Sequence, residues 1–258
     1  MVDEEVTITK DVTIDGNGVQ FKAPVVVNDA EVVLNNAIFT ATGASASDTN
    51  GTAIKVSGTK LFTLKNSTVN GTTRTAVSLI TSGKITVENN TFDGGNSAIY
   101  NMIEFSIGTA RDITEAVIKN NTFVGTLKNN AVSFYNFADG AKIDISGNTV
   151  KDMSVNSNFV RLSNPKNVSA TFTLNDNTYT FSSDTPNAQG YTGFMLLQDY
   201  SKSDSQDFSK FKIDFKNLKR GTKVLTENGT GLDQVFYVYA DGKGILARGV
   251  NDPVVAFK

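Results

Sequence analysis

Apolar and polar positions alternate in short bursts along this chain, and the bursts end in a recurring six-residue segment. An apolar residue is followed by two polar or turn residues, a small residue or asparagine, a variable position and a second apolar residue. The copies are Ile14-Asp-Gly-Asn-Gly-Val19, Leu34-Asn-Asn-Ala-Ile-Phe39, Leu64-Lys-Asn-Ser-Thr-Val69, Val87-Glu-Asn-Asn-Thr-Phe92, Ile118-Lys-Asn-Asn-Thr-Phe123, Ile145-Ser-Gly-Asn-Thr-Val150 and Leu174-Asn-Asp-Asn-Thr-Tyr179. A frayed eighth copy opens at Phe215 and loses its closing apolar residue at Arg220. Successive copies start 20, 30, 23, 31, 27, 29 and 41 residues apart. Such uneven steps around a fixed segment describe constant strands joined by loops of variable length.

Two residues before each start stands another apolar or small residue: Val12, Val32, Phe62, Ile85, Ala116, Ile143, Phe172 and Ile213. A period of two makes each segment a strand with one buried face, with Phe92 and Phe123 pointing inward. A second strand type lies upstream, as Ala53-Ile-Lys-Val56, Ala76-Val-Ser-Leu79, Ala98-Ile-Tyr-Asn101, Ala131-Val-Ser-Phe134 and Phe159-Val-Arg-Leu162. The Asn, Gly and Asp residues between the apolar ends tolerate left-handed backbone and bond locally to it, so a strand can turn a corner there. Two or three strands per repeat, separated by corners, predict an all-β solenoid: a single-stranded parallel β-helix of about eight coils. At about 4.8 Å per coil it would be a rod of about 40 Å. An antiparallel sandwich also has short alternating strands, but it would not repeat one corner seven times. Corner asparagines Asn36, Asn66, Asn89, Asn90, Asn120, Asn121, Asn148 and Asn177 are expected to stack as a side-chain ladder, amide bonding to amide from coil to coil. Residues 1–258 read as one domain, with regular coils over about 6–220 and an irregular terminal coil and cap over 221–258. Within that cap Val235-Phe-Tyr-Val-Tyr239 and Gly244-Ile-Leu-Ala247 read as strands.

Composition narrows the chemistry. The 24 Lys and Arg against 26 Asp and Glu leave a net charge of -2, which offers no attraction to nucleic acid or an anionic membrane. The absence of Cys removes disulfides, thiol nucleophiles and thiolate metal sites. The absence of His and Trp removes the commonest general base and the commonest sugar-stacking ring. The first residues lack the basic and apolar segments of a signal peptide, and no apolar run approaches a membrane span.

Val87-Glu-Asn-Asn-Thr-Phe92 and the opening Val12-Thr-Ile-Asp-Gly-Asn-Gly18 resemble corners of the pectin-lyase-like right-handed β-helix superfamily. The resemblance covers about residues 6–220 and implies a right-handed coil. It does not choose a function, because lyases, glycoside hydrolases, epimerases, adhesins and phage virion proteins share that fold. The polygalacturonase-like branch uses a Gly-His-Gly segment, which a histidine-free chain cannot supply. The Asn/Ser/Thr-rich, Cys-free texture is similar to that of phage head-decoration and fibre-type proteins.

Clustered carboxylates are the groups that could do acid–base or cation-binding work in this chain. Asp139, Asp144 and Asp152 fall around one coil, and Arg111, Asp112 and Glu115 precede another. Their expected role is in solvated turns and outward faces, so no catalytic, cofactor-binding or metal-ligating residue is assigned. A tailspike-type glycosidase needs only two carboxylates, but the long insertions that form its groove are missing. Asn-x-Thr/Ser triplets at Asn89 and Asn120 match a glycosylation acceptor, and corner geometry already explains them. Gly43–Gly51 and Ser201–Asp207 read as exposed loops. In Lys210-Phe-Lys-Ile-Asp-Phe-Lys216 the lysines Lys210, Lys212 and Lys216 point outward. With Lys219, Arg220 and Lys223 they form a basic patch that would dock an acidic partner or discourage strand-edge pairing.

These readings predict a non-enzymatic structural protein on the surface of a phage virion. It would be a head-decoration or auxiliary capsid component, without cofactor, contacting the major capsid protein or other virion proteins and adhering to cell-surface glycan. Nucleic-acid binding and membrane insertion are not expected. The alternatives are a polysaccharide lyase or tailspike-type enzyme, and a bacterial surface adhesin. At the N-terminus, either the acidic leader Asp3-Glu4-Glu5 shields the first strand edge or another subunit covers it.

Overall fold

A computed structural model describes residues 1–40, 51–70, 75–94, 99–105, 113–125, 127–135, 137–154, 157–163, 168–185, 193–199, 210–226, 229–240, 243–245 and 256–257. The expected loops at 43–50 and 201–207, the pair Arg111 and Asp112, and residues 246–247 lie outside them.

The protein is all-β, and its strands fall into three long sheets. Sheet I runs from Val6–Ile8 through Val25–Asn28, Ile54–Ser57, Thr75–Ile80 and on to Phe236–Ala240 and Lys243–Ile245. Sheet II runs from Val12–Asp15 through Val32–Asn35, Leu61–Lys65 and Gly83–Glu88 to Phe211–Asp214 and Ala256–Phe257. Sheet III runs from Gln20–Phe21 through Ile38–Thr40, Thr68–Asn70 and Thr91–Asp93 to Lys219–Arg220 and Lys223–Val224. Through most of the chain each strand pairs in parallel with the third strand after it, so the polypeptide visits the three sheets in turn. This regular parallel stacking is consistent with a parallel β-helix.

The alternation produces continuous interior rows. In sheet II, Val32, Phe62, Ile85, Ala116, Ile143, Phe172 and Ile213 occupy one register position, and all are buried. In sheet III, Phe21, Phe39, Val69, Phe92, Phe123, Val150 and Tyr179 form another buried row. Phe92 and Phe123 stack with ring centroids 5.0 Å apart and planes within 9°. Each such side chain contributes about 1.5–3 kcal/mol by leaving water.

Three positions differ from the sequence reading. Val12 is not buried: it is 38% exposed, because its strand is the edge of sheet II among the described residues. The first corner closes on Phe21 rather than Val19, since Phe21 pairs with Phe39 while Val19 is exposed. Asn17 and Gly18 both have positive φ, giving that corner a wider turn than its counterparts. In sheet I, the equivalent of Ala76–Leu79 is Met102–Phe105, not Ala98–Asn101: Val77 pairs with Ile103 and Leu79 with Phe105. A longer strand, Ile99–Phe105, concealed that register.

The frayed eighth copy keeps the geometry of the others. Asn217 takes φ 54°, Leu218 is buried, and Arg220 pairs opposite Tyr179. Beyond it Lys223–Val224 folds back antiparallel on Lys219–Arg220, and Lys243–Ile245 does the same on Phe236–Ala240.

Candidate functional site

The corner asparagines separate into two sets. Asn36, Asn66, Asn89 and Asn120 have φ between 51° and 56° and turn the chain in the left-handed region. Gly147 holds the same position in the next copy, with φ 68°. The following residues, Asn90, Asn121, Asn148 and Asn177, are buried and form a directional ladder. The backbone N–H of Asn90 donates to Asn121 Oδ1 (3.0 Å), that of Asn121 to Asn148 Oδ1 (2.9 Å), and that of Asn148 to Asn177 Oδ1 (3.1 Å). Each Nδ2 donates back to a strand carbonyl of the preceding copy: Asn90 to Leu64, Asn121 to Val87, Asn148 to Ile118 and Asn177 to Ile145. Ser67 precedes these rungs and accepts from Ala37 N (3.2 Å) through its hydroxyl. The apolar Ala37 and Leu218 stand at the two ends. Buried polar groups must be paired, and here each carboxamide is satisfied across neighbouring strands.

A second polar row was missed by the sequence reading. At the start of the sheet I strands, Thr75, Asn101, Asn130, Asn158 and Gly193 share a register position. Thr75, Asn101, Asn130 and Asn158 are all buried. Asn130 Nδ2 donates to Asn101 Oδ1 (3.2 Å) and Asn158 Nδ2 to the Gly193 carbonyl (3.1 Å). The available signal was a Thr or Asn two residues before the first inward Val or Ile: Thr75-Ala-Val77, Asn130-Ala-Val132, Asn158-Phe-Val160.

The surface feature with most chemistry is a depression of about 390 Å³ on the outer face of sheet II. Its walls are Glu115 and Val117, Lys142 and Asp144, and Thr171 and Thr173, from three neighbouring strands. Lys84 Nζ lies 2.9 Å from Glu115 Oε2, and Lys119 Nζ 2.6 Å from Asp144 Oδ2. Asp144 also accepts from the Ser146 hydroxyl. Such solvent-facing pairs contribute about 0–1 kcal/mol each. They nevertheless neutralise both carboxylates, so the face presents hydrogen-bonding groups of mixed sign rather than an acidic cleft.

Asp139 and Asp152, grouped with Asp144 in the sequence, do other work. Asp139 Oδ1 accepts from both the backbone N and the hydroxyl of Ser169, each at 2.7 Å, tying one turn to the next. Those bonds, the backbone one first, hold its carboxyl below the usual range. Asp152 lies within the strand Thr149–Met153, where its left-handed φ of 57° sits at a break in register, and its N–H donates to Thr180 Oγ1. Among the described residues, no group of three His, Cys, Asp or Glu is placed to hold a metal ion.

Of the basic set, Lys210, Lys212 and Lys216 are exposed. Arg220 is half-buried instead: its Nε donates to Asp233 Oδ1 at 2.7 Å, and Lys223 binds the other oxygen of the same carboxylate. Burial raises the Asp233 pKa, but the bonds from Lys223 and Arg220 outweigh it, and the group ends below its ordinary value. Arg220 therefore belongs to the terminal cap. No family model, curated protein or solved structure matches the chain.

Proposed function

We propose that this chain is a right-handed parallel β-helix of about eight coils, of the pectin-lyase-like kind, and a non-enzymatic component of a phage particle surface. Its role is that of a head-decoration or auxiliary capsid protein contacting other virion proteins. The observation that carries the reading is that the polar side chains serve the stack itself: asparagine amides are internal rungs, and the carboxylates of sheet II are matched by lysines. A stack of this kind offers outer faces and sheet edges for attachment.

On the outer surface, the exposed Lys210, Lys212 and Lys216, with Lys219 beside them, would meet an acidic partner such as cell-surface glycan. The test is mass spectrometry of density-purified particles from the source, with cryo-EM to place the chain. Stoichiometric copies on the particle surface are expected. Recovery only from a secreted or cell-wall fraction would overturn the proposal in favour of an adhesin or a polysaccharide enzyme.

A further inference from the structure

We propose that the depression on the outer face of sheet II is a binding site for a phosphodiester-linked glycan, with Lys142 and Lys212 as its anion contacts and Thr171 and Thr173 as its hydroxyl contacts. This rests on the glycan adhesion in the outer-surface reading and adds where the glycan lies and what charge it carries.

The depression follows from side-chain length. Glu115, Lys142 and Thr171 share one register position on neighbouring strands, and Val117, Asp144 and Thr173 share another two residues on. Lys212 and Asp214 continue the two rows on the following strand. The short side chains of Val117, Thr171 and Thr173 lie among longer ones, which leaves a hollow of about 390 Å³. Small-molecule sites span about 300–1,000 Å³, so the hollow has room for one repeat unit of a polymer. Its carboxylates are already matched, Asp144 by Lys119 at 2.6 Å and Glu115 by Lys84 at 2.9 Å. Lys142 and Lys212 are exposed, and among the described residues neither forms an ion pair.

These groups select the ligand. Lys142 and Lys212 flank Thr171 in register, two strand spacings or about 10 Å apart. A lone ammonium serves as a point charge on phosphate, whereas a carboxylate is matched best by the bidentate fork of an arginine, and no arginine lines the hollow. The Thr171 hydroxyl, between the two lysines, donates to the same anion. Glu115 and Asp144 retain acceptor capacity beside their lysines, and sugar or polyol hydroxyls fill it. A polymer with a carboxylate on every ring, or an acidic peptide, would set its charges against Glu115, Asp144 and Asp214. Phosphodiesters separated by uncharged, hydroxyl-bearing units put negative charge at the lysines and donors at the carboxylates.

The test is isothermal titration calorimetry of the full chain with a glycerol phosphate oligomer, beside an oligogalacturonate and a neutral dextran of similar length. The variants are Lys142→Glu, Lys212→Glu and, in the sheet III strand Thr149–Met153, Lys151→Glu as a control. Circular dichroism with thermal melting verifies that each folds. The parent is expected to bind the glycerol phosphate oligomer at least about tenfold more tightly than the other two, and to lose it as salt rises from about 0.1 to 0.5 M. Lys142→Glu and Lys212→Glu should each weaken binding by at least about tenfold, and Lys151→Glu should match the parent. No binding by the parent, or parental affinity in the folded Lys142→Glu and Lys212→Glu variants, overturns the site. Equal or tighter binding of the oligogalacturonate overturns the phosphate chemistry. Binding is read on the isolated chain, so its failure leaves the particle-surface reading standing, and absence of the chain from particles leaves a measured binding standing.

Discussion

Replacing Asn121 by alanine isolates the ladder's contribution. The Asn121 carboxamide is 1% exposed and makes four bonds. Its Oδ1 accepts from Asn90 N and Asn90 Nδ2, both at 3.0 Å, and its Nδ2 donates to Val87 O at 2.8 Å and Asn148 Oδ1 at 3.0 Å. Alanine removes all four, but two of the partners keep another bond. Asn90 Nδ2 still reaches Leu64 O, and Asn148 Oδ1 still accepts from Asn121 N. The buried N–H of Asn90 loses its acceptor, at about 1–3 kcal/mol, and the other lost bonds cost about 1 kcal/mol each. The expected loss is about 4–6 kcal/mol. Serine should do better, because Ser67 fills the equivalent place by accepting from Ala37 N and donating to Lys65 O. Asn121→Ser is therefore expected to cost only about 1–2 kcal/mol.

Asn120, one residue earlier, provides the control. It carries φ 54°, so Asn120→Ala costs about 1–2 kcal/mol through backbone strain and Asn120→Gly restores most of it. Urea unfolding followed by circular dichroism, with linear extrapolation, resolves these differences. A loss below 1 kcal/mol for Asn121→Ala, or equal losses for its alanine and serine variants, would refute the ladder's energetic role.

Phe123→Ala should cost about 3–5 kcal/mol by the same measurement, because it opens a cavity beside Phe92 in a fully buried row; a loss below 1 kcal/mol counts against the packing. Gly83→Ala places a Cβ 2.2 Å from the Lys60 carbonyl oxygen at φ 85°, so it should lower the melting temperature markedly, and an unchanged melt would contradict the close approach. Asp233 has a depressed pKa, so its stabilisation of the cap is present above the unfolded carboxylate value of about 4 and fades as pH falls through the lower folded value. Melts of the parent and Asp233→Asn should accordingly differ at pH 6 and converge toward pH 2, and a constant gap would exclude the linkage.

The strand pattern was readable because the interior rows repeat with period two and the corner repeats with a fixed length. Val32, Phe62 and Ile85 align by inspection, and their structural register agrees. What escaped depends on contacts between copies. Val12 has the same sequence context as Val32, and it is exposed because its strand lies at the edge of the sheet rather than between two others. Nothing within Asn89-Asn90 tells which asparagine turns the chain and which is buried, because the difference lies in backbone φ and in the acceptor supplied by the following copy. Asn101 lies in the middle of a strand that runs on to Phe105, so its place in a polar row depends on register rather than on its local sequence. Arg220 looked like a free surface cation because its partner Asp233 is distant in sequence from the corner motif.

The ladder's direction also explains where it stops. Each rung supplies an acceptor for the N–H of the copy before it, from Ser67 for Ala37 to Asn177 for Asn148, and Ala37 has no side-chain acceptor to offer the first copy. There the N–H of Gly18 donates to the Asn36 backbone carbonyl instead. At the other end Leu218 breaks the amide series. The first coil is therefore held by strand pairing and apolar contacts without a rung, and the middle copies carry the rungs as well as the rows, so substitutions in the ladder should cost most between Ser67 and Asn177.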